Sequence, residues 1–254
     1  FSFYNSMILT IDIGNSLTKF GVFGGEDLIS KIKIQTVRET SSDSIYLQIK
    51  DQISSEFSAI IISSVVSELN ITYINLGEKY FQKTPFFADH TFDYGFSINY
   101  FPPKNCGSDR LVDAFAATRK YGTPVIICDF GTATTIDAVN SKNQYLGGII
   151  TPGINTLASA LFDKTSKLPK VELVKPEKVI GNSTVSSIQS GIYFGYIGLV
   201  DGIIKRMFDE LDEKPKVIST GGFAELIAEE SEFVEIIEEN LLLEGLRLIY
   251  EKIK

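Results

Sequence analysis

Two acidic residues of the chain each end an apolar run and stand directly before a turn of small residues. Asp12 precedes Gly14-Asn15-Ser16, and Asp129 precedes Gly131-Thr132. Such turns expose backbone N–H groups that bind phosphate oxygens, and a carboxylate beside them can hold a cation that neutralises the phosphate. A third apolar run ends in glycines at 221 and 222. One turn of this kind alone would be a plain hairpin, but three in one chain, two with the acid in the same place, favour nucleotide binding.

A helix start between these turns carries the other candidates for chemistry. In NCGSDRLVDAFAATRKYG, Gly107 or Ser108 is expected to cap a helix whose first turn holds Asp109 and Arg110. The helix dipole favours an acid there but not an arginine. A fork-shaped cation beside exposed N–H groups suits a substrate carboxylate, and the neighbouring acid can accept a proton from a substrate hydroxyl. Phosphoryl transfer tolerates a weak base, because its loose transition state depends mainly on positioning and charge neutralisation.

Other routes to chemistry find little support in the sequence. The chain lacks the G-x-x-x-x-G-K-[ST] and G-x-G-x-x-G patterns of P-loop and Rossmann proteins. Its two cysteines, Cys106 and Cys128, show no metal-ligand spacing, so neither a disulfide scaffold nor a zinc site is expected. The single histidine, His90, lies in a polar stretch and is interpreted as a surface or packing residue. Chemistry must therefore rely on carboxylates, hydroxyls and backbone groups.

The composition is that of an ordinary globular protein. The chain has 254 residues, 44% of them hydrophobic and 22% charged, with a net charge of -8. This acidity argues against nucleic acid as a partner, because a duplex binder needs a cationic surface. No apolar stretch approaches the roughly 20 residues that span a bilayer. We therefore expect no membrane association and a cytoplasmic location. Met7 is the natural first residue in this interpretation, and residues 1 to 6 are a remnant of expression.

The apolar patterns of the first half predict an α/β arrangement. Residues 7 to 13 and 17 to 23 are typical of a hairpin, and residues 28 to 36 of a third strand. A helix is expected near residues 45 to 53, followed by a buried parallel strand in SAIIISSVV and a second helix at residues 70 to 82. Strands and helices that alternate in this way are typical of α/β folds.

The second half repeats this order of elements. VIICDFGTATTIDAV aligns with LTIDIGNSLTKFGVF without a gap, which pairs Asp129 with Asp12 and Thr135 with Thr18. The match in the same strand-turn-strand context indicates an internal duplication. Further along, TVSSIQSGIYFGYIGLVDGIIKRMFDEL predicts a long helix with glycines at 191, 195, 198 and 202 on one face, a pattern typical of close helix or subunit packing. A strand in KVISTGG and an amphipathic helix in NLLLEGLRLIYEKIK complete the pattern.

With these motifs in place, the sequence resembles the type III pantothenate kinases, a family of the acetate kinase, sugar kinase, Hsp70 and actin superfamily. The resemblance runs from Met7 almost to the C-terminus. Its motifs are, in chain order, IDIGNSLTKFGVF, Y-x-x-P-x-x-x-G-x-D-R from Tyr100 to Arg110, CDFGTATTIDAV, GGIITPGINTLASAL, IGNSTVSSIQSGIYFGYIGLVDGIIKRM and NLLLEGLRLIYEK. Together, in this order, they are highly specific.

The resemblance implies a role for each matching residue. Asp109 matches the proton acceptor that faces the primary hydroxyl of pantothenate, and Asp129 matches the site of a monovalent cation, K+ or NH4+. Thr132 matches a nucleotide contact, and Asp12 would help to place Mg2+, directly or through water. The segment implied to bind ATP comprises Asp12, Ile13, Gly14, Asn15, Ser16, Leu17, Thr18 and Lys19. The positions implied to bind pantothenate are Tyr100, Gly107, Ser108, Asp109, Arg110 and Thr184.

The resemblance also implies the architecture. The fold class would be α/β, with two duplicated ribonuclease H-like domains of the actin-like ATPase type, each a mixed sheet flanked by helices. The expected bounds are 7–116 for the N-terminal domain and 117–254 for the C-terminal domain. Members of the family are homodimers with the pantothenate site at the subunit boundary, which would give the glycine-faced helix a role. The chain departs from the family pattern at Ser16, where Thr is frequent, and at Asn105-Cys106, where an acidic and an aliphatic residue are usual.

The implied function is transfer of the γ-phosphoryl group of ATP to pantothenate, giving 4'-phosphopantothenate as the first step towards coenzyme A. Two alternatives remain at this level. One is a non-catalytic ligand-binding or regulatory protein on the same fold, and the other is an ATPase or polyphosphate hydrolase with water as the acceptor. The intact acids at 12, 109 and 129 speak against the first. The second would leave Arg110 and Tyr100 without a carboxylate-bearing ligand.

Overall fold

The computed structural model describes residues 7–53 and 56–254, so the expectation about residues 1 to 6 lies outside the described residues. The chain divides into two compact units. Unit 1 contains residues 7–95, Phe101–Ala116 and Leu241–Lys254, and unit 2 contains Phe96–Tyr100 and Ala117–Asn240. The C-terminal segment thus packs with unit 1. The division of the duplicated domains between residues 116 and 117 stays a prediction.

Unit 1 is built on a five-stranded mixed sheet. Its strands are β1 (Met7–Ile13), β2 (Leu17–Gly24), β3 (Asp27–Gln35), β4 (Ala59–Ser64) and β5 (Phe86–Phe87), and its helices are α1 (Ser42–Ile49), α2 (Asn70–Phe81), the first part of α3 (Ser108–Tyr121) and α7 (Leu241–Ile253). The strand order is β3-β2-β1-β4-β5. Each predicted element of this half is present, although α1 ends at Ile49 rather than near residue 53.

The central strand β1 is a continuous apolar run because both of its faces are covered. Leu9, Ile11 and Ile13 belong to a core formed with the side chains of α1 and α2. On the other face, Ile8 packs with Phe23 and with Leu243 of α7. A strand buried on both sides cannot alternate between apolar and polar residues. The single acid at position 12 is therefore an exception that a packing role does not explain.

Unit 2 is built on a six-stranded mixed sheet. Its strands are β6 (Ser97–Ile98), β7 (Val125–Phe130), β8 (Ala133–Val139), β9 (Gln144–Pro152), β10 (Lys216–Thr220) and β11 (Ile236–Ile237), and its helices are α4 (Ile154–Asp163), α5 (Thr184–Glu210) and α6 (Ala224–Ala228), with the second part of α3. The strand order is β11-β10-β7-β8-β9-β6. Helix α5 begins with a reciprocal capping box between Ser183 and Ser186, which explains its sharp start. Among the described residues, no helix is long and apolar enough to cross a membrane.

The two sheets share one topology, which confirms the repeated order of elements. In each sheet, three antiparallel strands (β1 to β3, β7 to β9) are followed by a strand parallel to the first (β4, β10). The register corrects the gapless alignment beyond the turn. Ile13, the last residue of β1, pairs with Thr18, whereas Phe130, the last residue of β7, pairs with Thr134. The second turn is one residue shorter, so Thr134 rather than Thr135 corresponds to Thr18.

Candidate active site

Asp12 lies at the carboxyl end of β1 and is only 6% exposed. Lys19 faces it from the paired position of β2, with its Nζ atom 3.2 Å from Asp12 Oδ2. Burial raises the pKa of Asp12, and the charge and hydrogen bond of Lys19 oppose this rise. Since a buried carboxylate is stabilised by any cation that reaches it, Asp12 fits a role in placing a divalent ion beside phosphate.

The turn after Asp12 lies at the surface of unit 1. Asn15, Ser16 and Leu17 are exposed, and the Gly14 N–H donates to the Leu17 carbonyl at 3.1 Å. A Cβ at Gly14 would lie 2.9 Å from that carbonyl oxygen, so the close approach favours glycine. The flanking residues of the predicted segment, Ile13 and Thr18, are fully buried. Their side chains therefore hold the turn, while its exposed residues are the part open to a ligand.

The start of α3 is attached to the sheet edge that carries Asp12. Ser108 is the first residue of α3, which leaves Gly107 in the cap position. The Ser108 hydroxyl accepts a hydrogen bond from the Ser64 N–H at 3.0 Å and lies 2.9 Å from the Ser63 hydroxyl. Ser63 is in turn the β4 residue paired with Asp12. The buried Ser108 hydroxyl thus fixes the helix start at this edge.

Asp109 and Arg110 follow in the first turn of α3. The Asp109 carboxylate accepts a hydrogen bond from the Arg110 N–H at 2.8 Å. It also lies against Gly107, where a Cβ would clash with Asp109 Oδ1, so glycine leaves room for the acid. Asp109 is half-buried and Arg110 is 6% exposed. Unit 1 therefore brings Asp12, Asp109 and Arg110 to one end of its sheet.

In unit 2 the second and third glycine turns meet around Asp129. Strands β7 and β10 are parallel neighbours, and Asp129 pairs with Thr220, so both turns leave the sheet at the same edge. Gly221 has a φ of 93° and a Cβ there would lie 2.5 Å from Asp129 Oδ1. Only glycine fits this backbone and this approach. A half-buried carboxylate beside close backbone is an oxygen-donor environment that fits a hard cation.

Thr132 is exposed at the tip of the second turn, and two groups after β9 hold its carbonyl. The Gly153 N–H donates to Thr132 O at 3.0 Å, and the Thr156 hydroxyl donates to the same oxygen at 2.7 Å. A Cβ at Gly153 would clash with the Gly131 carbonyl oxygen. Gly153 and Thr156 are therefore part of the turn's support. The sequence signal for them is the Pro-Gly pair of GGIITPG, which is typical of a turn after a strand.

The remaining predicted substrate residues belong to unit 2. Thr184 is the exposed first residue of α5 and lines a cavity of about 1000 Å³ together with residues of α4 and the glycine face of α5. Tyr100 is half-buried and its ring lies against Gly147, whose φ is 84°. The structure thus assigns Tyr100 and Thr184 to a different unit from Asp109 and Arg110.

The two cysteines and the single histidine have environments that indicate no chemical role. Both cysteines are buried free thiols, and burial raises the pKa of Cys128, which keeps it protonated. His90 is half-buried in a turn. In residues 7–53 and 56–254, no group of three or more histidine, cysteine or acidic side chains could hold a metal ion. Cation binding at Asp12 or Asp129 would therefore need oxygen atoms from a ligand, water or the backbone.

Comparison with solved structures confirms the predicted fold class. A Baf family transcriptional activator from Campylobacter jejuni has a TM-score of 0.61, with 21% identity and coverage of 96% of this chain and 98% of that chain. The activator of the 2-hydroxyisocaproyl-CoA dehydratase from Clostridium difficile, solved with bound ADPNP, has a TM-score of 0.54, with 13% identity and coverage of 96% and 95%. The fold, with its acids before small-residue turns, is that of the actin-like ATPase and sugar kinase class.

Sequence comparison then identifies the family within this class. The sequence profile of the type III pantothenate kinases matches residues 8–206. Type III pantothenate kinase from Halalkalibacterium halodurans is 43% identical over 97% of this chain and 99% of its own length. The protein of the same name from Citrifermentans bemidjiense is 44% identical over 98% of this chain and 100% of its own length. The chain belongs to the type III pantothenate kinase family.

Proposed function

We propose that this protein transfers the γ-phosphoryl group of ATP to pantothenate, giving 4'-phosphopantothenate, the first step of coenzyme A biosynthesis. Membership in the type III pantothenate kinase family supports this activity. The observation that carries the proposal at the site is the start of α3. Its Asp109 and Arg110 are fixed by the Ser108 hydroxyl to the sheet edge that holds Asp12. The residues proposed to bind pantothenate and the turn proposed to bind phosphate are thereby attached to the same edge of one sheet.

ATP binds with its phosphates on the turn at residues 14 to 17 in this proposal. The exposed turn residues would supply backbone N–H donors, and Lys19 would supply a cation beside Asp12. Mg2+, when bound, neutralises charge on the phosphate oxygens. Asp12 is the residue that would orient it, since a buried carboxylate is stabilised by a cation that reaches it. By resemblance to the family, Thr132 is a further nucleotide contact.

Pantothenate presents a carboxylate and a primary hydroxyl, and the α3 start offers a partner for each. Arg110 binds the carboxylate through its planar fork of N–H donors. Asp109 accepts the hydroxyl proton as the new O–P bond forms and the bond to the β-phosphate oxygen breaks, which leaves ADP and a protonated Asp109. Gly107, Ser108, Tyr100 and Thr184 complete the pantothenate site by resemblance to the family.

The cation, assembly and location are further parts of the proposal. Asp129, a half-buried carboxylate beside the close backbone of Gly221, would hold K+ or NH4+ together with oxygen atoms from water, a ligand or the backbone. The protein would act as a homodimer through the glycine face of α5. Apart from the backbone of α5 and the adjacent residues, no described heavy atom lies within 4 Å of a Cβ built at Gly191, Gly195 or Gly198, which supports this face as the contact with a second copy. We place the protein in the cytoplasm on its composition.

A coupled assay with pantothenate and ATP, with and without K+, tests the function. We expect formation of 4'-phosphopantothenate that depends on both substrates, and ADP release that falls to background without pantothenate. ADP release that ignores pantothenate would instead indicate a hydrolase. Binding of ATP or pantothenate with no product would favour the regulatory alternative, the class named for the Campylobacter jejuni structure.

A further inference from the structure

We infer that the buried hydroxyls of Tyr73 and Tyr196 are positioning groups that hold the two phosphate-side turns in their binding conformation, each through a threonine at the start of the strand that follows the turn. Tyr73 acts on the turn after Asp12, and Tyr196 acts on the turn after Asp129. The inference deepens the proposed function and rests on it for its effect on ATP. The hydrogen bonds themselves are independent of it.

In unit 1 the bond runs from α2 to β2. The Tyr73 hydroxyl donates to Thr18 Oγ1 at 3.2 Å, and Thr18 Oγ1 lies 2.9 Å from Thr36 Oγ1. Thr18 is completely buried and Tyr73 is 2% exposed. Thr36 also holds the turn directly, because its N–H donates to the Ser16 carbonyl at 2.9 Å. The three hydroxyls therefore connect α2, the start of β2 and the end of β3 around one turn.

In unit 2 the corresponding bond runs from α5 to β8. The Tyr196 hydroxyl lies 2.6 Å from Thr134 Oγ1 and 3.2 Å from the carbonyl oxygen of Pro152. Thr134 is completely buried and Tyr196 is 2% exposed. The residue after Pro152 is Gly153, whose N–H donates to the Thr132 carbonyl at 3.0 Å. In both units, therefore, the N–H of the residue that follows the third antiparallel strand, β3 or β9, donates a hydrogen bond to a carbonyl of the turn.

The two threonines occupy equivalent places in the duplicated topology. Thr18 is the second residue of β2 and Thr134 is the second residue of β8, and each pairs with the last residue of the preceding strand. The tyrosines, however, come from different positions, since α2 follows the fourth strand of its sheet whereas α5 precedes it. The same contact is therefore reached from two different helices. A shared requirement at the turn explains this better than simple inheritance from one ancestral half.

The physical reason for the requirement is the burial of the threonine hydroxyls. A buried hydroxyl without a partner is energetically unfavourable, so the conformation of each turn in which the threonine keeps its partner is favoured. Burial raises the pKa of Tyr73 to about 12 and also raises that of Tyr196. Both hydroxyls consequently remain protonated donors at working pH. A turn that must present N–H groups to phosphate depends on such support from neighbouring side chains.

Tyr73→Phe and Tyr196→Phe are the direct tests, because each removes one oxygen atom and keeps the ring. We expect the KM for ATP to rise by about three- to tenfold in each, as the loss of one buried hydrogen bond predicts. The KM for pantothenate should stay within about twofold, since the α3 start is held by Ser108 instead. The matched controls are Tyr94→Phe and Tyr145→Phe, which change two other buried tyrosines, whose hydroxyls donate to Asp89 O and Asp137 Oδ1. Equal effects in variants and controls would overturn the inference.

A second readout does not depend on catalysis. Hydrogen exchange of the amides at residues 14 to 17 should accelerate in Tyr73→Phe, and that at residues 131 to 133 in Tyr196→Phe, with the control variants unchanged. Thr18→Val should raise the KM for ATP and accelerate exchange as Tyr73→Phe does. Thr18→Ser, which keeps the hydroxyl, should show smaller changes than Thr18→Val. An inactive wild type with faster exchange in the variants would refute the proposed function and keep this inference. An active wild type, with exchange and KM unchanged in the variants, would support the proposed function and overturn this inference.

Discussion

At the scale of single residues, the two acids of unit 1 have different surroundings that suit different tasks. Asp12 is nearly inaccessible and has Lys19 as a counter-ion, whereas Asp109 is half-buried at a helix start and accepts an N–H bond from Arg110. The first arrangement suits a charge that positions a cation and phosphate. The second suits a group that meets a substrate hydroxyl and accepts its proton during transfer.

Asp109→Asn should lower kcat by at least about a hundredfold, because the amide cannot accept the proton from pantothenate. The affinity for ATP and the thermal unfolding temperature should stay close to wild type. Steady-state kinetics, equilibrium binding of ATP and a thermal melt check these three points. Asp27→Asn, which changes an exposed acid at the start of β3, is the charge control. Activity of the Asp109 variant within a few-fold of wild type would contradict its role as the base.

Arg110→Lys should raise the KM for pantothenate by about tenfold or more while the KM for ATP changes little. Lysine keeps the positive charge but loses the bidentate fork that matches a carboxylate. This substitution is safer than Arg110→Ala, because a buried arginine contributes packing as well as charge. Kinetics with each substrate varied in turn separate the two KM values. A defect confined to ATP would refute the pairing of Arg110 with the pantothenate carboxylate.

Replacement of K+ by Na+ should lower the activity of the wild type, and Asp129→Asn should abolish this dependence. The reason is that the site proposed at Asp129 would be filled by K+ or NH4+ and not by the smaller Na+. Activity is measured at constant ionic strength with K+, NH4+ and Na+ as chlorides. Indifference of the wild type to the ion would leave Asp129 as a structural acid.

At the scale of elements, close backbone approaches decide the shape of the turns. The segment that follows β9 crosses the turn after β7, and Gly153 permits this because a Cβ there would clash with Gly131 O and lie 2.6 Å from Thr132 O. Gly153 is also the start of α4, where its N–H bonds to Thr132 O. One glycine thus serves a helix start and a turn together.

Gly153→Ala should move this turn away from its observed position, lower the unfolding temperature by several degrees and raise the KM for ATP. The clash is with backbone atoms, so no side-chain rotation can relieve it. Gly222→Ala is the matched control for stability, since a Cβ at Gly222 meets no described heavy atom within 4 Å. A thermal melt of both variants separates the close approach from a general effect of alanine. Equal melting temperatures for Gly153→Ala and wild type would contradict the argument.

At the scale of the whole molecule, the proposed homodimer depends on the glycine face of α5. The glycine face of α5 is open over several turns, and Thr184 stands at the start of the same helix. A larger side chain on this face has space for its first atom, because no described heavy atom outside the backbone of α5 and the adjacent residues lies within 4 Å of a Cβ at Gly195. It would, however, prevent a second copy from packing there.

Gly195→Arg should therefore convert a dimer to a monomer without lowering the content of folded protein, and activity should fall with the dimer. Analytical ultracentrifugation and far-UV circular dichroism check the two parts. Ile71→Arg, at a 61% exposed position of α2, introduces the same charge on unit 1 and should leave both unchanged. A wild type that sediments as a monomer at all concentrations, with full activity, would refute the proposed assembly.

The sequence by itself determined most strands and helices, the acids at their ends and the family, because these depend on local periodicity and on the order of short motifs. It placed the turns after Asp12 and Asp129 correctly. The tertiary structure alone decided that the second turn is one residue shorter, so that Thr134 takes the place of Thr18. It also decided that Ser108 bonds to the end of β4 and that Tyr73 and Tyr196 bond to the buried threonines. These features join residues far apart in the chain, and the partner of a buried hydroxyl is fixed only when packing brings the two groups within bonding distance.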